Sequence, residues 1–138
     1  MINAEAAEER KERSNLNELS YLVIRCAMKV HSELGSGLLE SAYEACLAHE
    51  LKKNGLRVET QVVLPVCYDG MKLDLGYRID LLVDSGLVVE LKAIEQVLPV
   101  HKAQLLSYLR LSKRKLCLLI NFHTTHLREG ISRVVNRL

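Results

Sequence analysis

The 138-residue chain has no apolar run of about 18 residues, so no membrane-crossing helix is predicted. Its opening residues, Met1-Ile2-Asn3-Ala4-Glu5, lack the basic-then-apolar layout of a secretory leader. A cytoplasmic protein without a membrane partner is expected. Cysteine is sparse: Cys26, Cys46, Cys67 and Cys117 stand far apart in apolar stretches, with no CxxC pair and no Cys/His spacing of a zinc site. All four read as reduced core residues. Charge of one sign is also lacking, since 19 basic and 17 acidic side chains leave a net charge of +2, too small to name a partner. Basic character is only local, in Lys113-Arg114-Lys115 and in Arg128, Arg133 and Arg137.

What is present is the composition of an ordinary globular domain, 49% apolar and 26% charged, at a length that supports one core. No internal repeat or linker divides it. Residues 5–13 are almost all Ala, Glu, Lys and Arg, which favours helix but offers no apolar face, so 1–14 is predicted to be an exposed extension and 15–138 the single domain.

From Leu19 to Leu34 the apolar positions follow three-and-four spacing, with Asn15 and Glu18 as a capping pair and Gly35 as the stop. A second helix is predicted from Leu38 to Lys53, closed by Asn54-Gly55. A strand from Arg57 to Tyr68 follows, placed at a sheet edge by Pro65, and Asp69-Gly70 is a hairpin turn. The next strand, Leu73 to Val83, puts Leu73, Leu75, Tyr77, Ile79, Leu81 and Val83 on one face and Asp80 and Leu82 on the other. Then come a strand from Leu87 to Ala93, a helix from Pro99 to Leu111, and an apolar strand from Leu116 to Phe122. The order α-α-β-β-β-α-β gives an α/β (α+β) fold, a mixed sheet flanked by helices.

The chemistry concentrates on the two middle strands. Asp84-Ser85-Gly86 fits a three-residue hairpin loop, a type I turn closed by a left-handed glycine. Val83 then faces Leu87, and Asp80 lies opposite Glu90 with Cβ atoms roughly 5 Å apart. A two-residue loop would instead put them on opposite faces. Two facing carboxylates beside Leu82 and Val88 repel, and a hard divalent cation such as Mg²⁺ suits the oxygen donors. Lys92 projects next to Glu90, where an ammonium group can orient an attacking water or stabilise charge on a phosphate. Glu40, in the first turn of the second helix, serves equally as a cap or as a carboxylate reaching the metal. Tyr43 lies one turn on. His101, Gln104 and Tyr108 share one face of the helix after Pro99 and can point to the site.

Two stretches carry a resemblance. Gly37-Leu38-Leu39-Glu40-Ser41-Ala42-Tyr43 reads as a GxxExxY signature, and Tyr77-Arg78-Ile79-Asp80 with Glu90-Leu91-Lys92 resembles the PD-(D/E)xK nuclease motif, with Ile79 in place of proline. The similarity to GxxExxY proteins runs from about Leu19 to Val135 and includes Leu98 to Tyr108 and Leu118 to Phe122. It implies a restriction-endonuclease-like core and a nuclease that uses Mg²⁺ or Mn²⁺. Asp80 and Glu90 would be metal ligands, Lys92 the catalytic lysine, Glu40 an added carboxylate ligand, and Gln104 the helix glutamine beside the site. Apart from the resemblance, helix spacing puts Tyr43, His101 and Tyr108 behind these groups, and the basic run Lys113, Arg114 and Lys115 is expected against substrate. The expected partner is nucleic acid, DNA in the first instance, with a homodimer enlarging the grip of so small a domain. The competing reading is a non-cutting module that binds nucleic acid or protein on the same fold.

Overall fold

The computed structural model describes residues 3–138. The first helix, α1, spans Ala4–Leu34 without a break. No Gly or Pro interrupts it, and the Ala/Glu/Lys/Arg segment propagates helix readily. Asn3, rather than Asn15 with Glu18, caps it, its Oδ1 accepting the Glu5 N–H at 2.9 Å. Residues 4–14 are thus mostly exposed turns of one long helix, pinned by Glu12 to Lys115 at 2.8 Å. Among the described residues no helix is long and apolar enough to cross a membrane.

Helix α2 spans Glu40–Lys53. Strand β1, Val58–Val63, is followed by a separate hairpin of β2, Val66–Tyr68, and β3, Met71–Leu73. The expected long strands are therefore each split in two. Pro65 interrupts the first, and the second breaks where Gly76 adopts φ +90° and Asp74 Oδ1 accepts from both the Gly76 N–H and Arg78. The Asp69-Gly70 turn forms as expected, with both residues at positive φ and Tyr68 facing Met71.

Strands β4, Arg78–Val83, and β5, Leu87–Lys92, precede helix α3, Pro99–Ser112, and strand β6, Leu116–Asn121. A 3₁₀ turn at Leu127–Gly130 leads into β7, Ile131–Val135, an edge strand whose short, Arg-containing sequence gave no clear signal. The sheet order is β1-β4-β5-β6-β7, with β5 and β6 parallel across α3 and the other pairs antiparallel. β1 lies at an edge, as Pro65 suggested.

Two cores cover the two faces. Leu16, Val23, Val30, Tyr43, Leu47 and Leu51 pack from α1 and α2 on Leu81, Val83, Val89, Leu118 and Ile120, and Tyr43 stacks on Phe122 with centroids 4.3 Å apart. Leu105, Tyr108 and Leu109 of α3 cover Leu82, Val88, Cys117 and Leu119. Burying some two dozen such side chains, each worth about 1.5–3 kcal/mol, is what offsets the entropy of ordering the chain. The four cysteines are free thiols, but Cys67 is exposed rather than in the core, because β2 sits in the hairpin outside the main sheet.

Candidate active site

The register of the β4–β5 hairpin places the acidic pair. Val83 faces Leu87, Leu82 faces Val88 and Leu81 faces Val89, the alignment expected from a three-residue loop. The turn achieves it differently: Asp84 (φ 48°) and Ser85 (φ 57°), not Gly86, take left-handed backbone, and the Gly86 N–H closes on Val83 O at 3.1 Å. Asp84 tolerates this conformation because its Oδ1 accepts the Arg57 N–H at 2.8 Å.

Beyond Leu81 and Val89 the backbone ladder stops, and side chains take over its hydrogen bonds. The Asp80 N–H donates to Glu90 Oε1 at 3.1 Å, and the Leu91 N–H donates to Asp80 Oδ2 at 2.9 Å. The two carboxylates thus share the gap between the strands. In β1 the partner position, Gln61, is left-handed (φ 50°), and its Nε2 donates to Asp80 Oδ1 at 3.1 Å and to Glu44 Oε1 at 2.6 Å. At this point the β1–β4 ribbon turns over. Val58, Leu81 and Val83 belong to the core under α1 and α2, whereas Val62 and Ile79 belong to the core under α3. Ile79 therefore does not share a face with Leu81 as strict alternation predicts, because a ribbon released from β5 and carrying a left-handed residue twists freely.

Glu90 is only 5% exposed, a rare state for a carboxyl without a cationic hydrogen-bond partner. Burial first, and the charge of Asp80 second, push its pKa up to about 8, while the Asp80 backbone N–H and Lys92 act in the opposite direction. Lys92 ends β5 half-buried on the same face as Val88 and Glu90. The chain just beyond is fixed by buried Asn121, which accepts the Ile94 N–H at 3.1 Å and donates to Ile94 O at 2.8 Å. Tyr108 reaches this side from α3. Its phenol is shifted up by burial and by the charge of Glu90, its ring meets Tyr77 edge-on at 5.8 Å, and its hydroxyl accepts from Gln104 Nε2 at 3.2 Å.

The other sequence-predicted residues are placed as follows. Glu40 opens α2, exposed and in the first turn, while Glu44, one turn later, is the α2 carboxylate tied to Asp80 through Gln61. Tyr43 is buried, its hydroxyl donating to Gly35 O at 2.6 Å and accepting the Leu38 N–H at 3.1 Å, so it clamps the α1–α2 loop. His101 Nδ1 accepts the Leu98 N–H at 2.8 Å and organises the start of α3. Lys113, Arg114 and Lys115 are at the other end of the sheet, before Leu116, which pairs with Leu87. Sequence reasoning missed Gln61 and, through it, Glu44, since a left-handed glutamine in a strand has no local signature.

Among the described residues, no three of His, Cys, Asp or Glu gather as a ready-made metal cage. The donor set is two carboxylates with one buried, and that fits a hard cation which keeps waters or binds phosphate oxygens at its other positions. No curated protein and no solved structure matches the chain. A family model described as PD-(D/E)XK nuclease superfamily matches residues 17–134, which takes in every strand of the main sheet but the last residue of β7. The parted strands with their Asp and Glu-x-Lys therefore sit within a restriction-endonuclease-like fold, and the chain belongs to the PD-(D/E)XK nuclease superfamily.

Proposed function

We propose that this chain is a metal-dependent phosphodiesterase of the GxxExxY type that hydrolyses nucleic acid, DNA in the first instance. The observation that carries the reading is the buried Glu90 carboxyl set against Asp80 where β4 and β5 part. Two adjacent carboxyls in a dry gap cost free energy that neutral side-chain amides accepting the same two backbone N–H groups would avoid, so stability alone does not call for a pair of acids here. Asp80 and Glu90 would hold Mg²⁺ or Mn²⁺, and the cation would supply charge neutralisation at the phosphate and a more acidic water. Lys92, on the same face, positions the attacking water and stabilises charge on the phosphoryl oxygens. Tyr108 and Gln104 hold the α3 wall of the site, and Gln61 fixes Asp80 from the opposite side.

The test is cleavage of plasmid and single-stranded DNA in Mg²⁺ or Mn²⁺ by the wild type and by Lys92→Ala, with circular dichroism to establish folding. Cleavage lost in a folded Lys92→Ala supports the proposal. Equal cleavage by both proteins refutes the role of Lys92. Titration of Mn²⁺ into the wild type and into Asp80→Asn tests the metal separately, and identical titrations would refute it. Binding of nucleic acid with no cleavage under any divalent cation would make the chain a non-cutting module instead.

A further inference from the structure

At the end of the sheet away from the carboxylates, the last turns of α3, the start of β6 and the tail of β7 enclose an open groove of about 590 Å³. Arg110, Lys113, Arg114, Lys115 and Arg137 line it, with Leu106 among the apolar residues at its base and no carboxylate on its walls. Among the described residues only Lys115 of these five makes a salt bridge, to Glu12. Four cations thus converge without a counter-charge, an arrangement that raises their mutual repulsion unless an anion joins them. One further feature marks the groove: the buried Arg114 Nε has no acceptor.

We infer that this groove grips the phosphate backbone of a nucleic-acid duplex at a distance from the carboxylates. The inference rests on the nuclease reading for the identity of the anion. The groove is open and its cations are spread over the end of α3, the connection to β6 and the tail after β7, which suits a run of backbone phosphates better than one small anion. The rise along two elements sets the reach from the carboxylates. Along α3, Gln104 and Lys113 are nine residues apart, about 14 Å at helical rise, and along β6 the Lys92–Asn121 pair lies five residues from Leu116, about 17 Å. That span matches about four to five base pairs of duplex rise. A substrate held at both places must therefore extend that far from the scissile bond.

The experiment measures binding of the full chain to a duplex DNA of about 20 base pairs by fluorescence anisotropy, in EDTA so that cutting cannot intervene, between about 50 and 200 mM salt. Lys113→Gln/Arg137→Gln removes two exposed cations, and Lys52→Gln/Arg25→Gln removes two exposed cations elsewhere as the charge-matched control. The groove variant is expected to bind about tenfold or more weakly at the low-salt end, and the slope of log affinity against log salt should fall by about 2. The control should retain the wild-type slope, with thermal melts showing that both variants are folded. Unchanged binding by the groove variant, an equal loss in the control, or no duplex binding by the wild type would each overturn the inference. If the groove variant loses binding while no divalent cation supports cleavage, the groove stands and the nuclease reading falls.

Discussion

Glu90→Gln in metal-free protein tests whether the acidic site carries a buried, proton-holding carboxyl. The folded chain keeps the Glu90 proton up to about pH 8, whereas an unfolded glutamate releases it near 4.5. Between those values unfolding releases a proton, so the stabilisation is full below about pH 4.5 and is lost as pH rises through about 8. At about 1.4 kcal/mol per tenfold change in proton affinity, the loss over the window is on the order of 5 kcal/mol, a large part of a typical domain's stability. Glutamine keeps an oxygen to accept the Asp80 N–H and has no charge to acquire. Urea unfolding in EDTA from about pH 5 to about pH 9 should show the wild type weakening steeply while Glu90→Gln stays nearly flat. The wild type should regain stability at the alkaline end when Mg²⁺ is added, because the ion binds the ionised carboxyl. Parallel pH profiles for the two proteins would refute the reasoning.

Three further outcomes are expected from elsewhere in the fold. Gly130→Ala sets a Cβ 2.2 Å from the backbone oxygen of Asn121, so it should cost at least about 2 kcal/mol in urea unfolding and disturb the end of β6. Tyr43→Phe deletes a buried hydroxyl that serves Gly35 and Leu38, and should lower stability by about 1–3 kcal/mol, read as a drop in Tm. Ser85→Gly relieves a left-handed serine on an exposed turn and should raise stability by about 0.5–1 kcal/mol.

Much of the fold is legible because its signals are periodic or punctuated. The spacing of Leu22, Cys26 and Val30 gives α1, Pro99 opens α3, and Asp69-Gly70 marks its hairpin. Loop length alone sets the β4–β5 register and so brings Asp80 and Glu90 together, even though the turn uses Asp84 and Ser85 as its left-handed residues. What the sequence conceals depends on the third dimension. Asn15 resembles a cap, but nothing halts the helix that starts at Asn3. Alternation misplaces Ile79 because the ladder opens one residue later, where carboxyl groups replace backbone partners. Glu40 draws the eye at a helix start, whereas Glu44 reaches Asp80 only through a glutamine from a neighbouring strand.

The acids that join β4 to β5 are also architecture. Without its side chain Asp80 leaves the Leu91 amide unserved, and without Glu90 the Asp80 amide is stranded, so truncation at either position damages folding in its own right. The Lys92 carbonyl accepts the Phe122 N–H, a bond any residue could make, and among the described residues its ammonium group serves no backbone partner. In a chain built this way, an inert descendant would lose its lysine long before its acids, and the ammonium group is the better witness to a working enzyme.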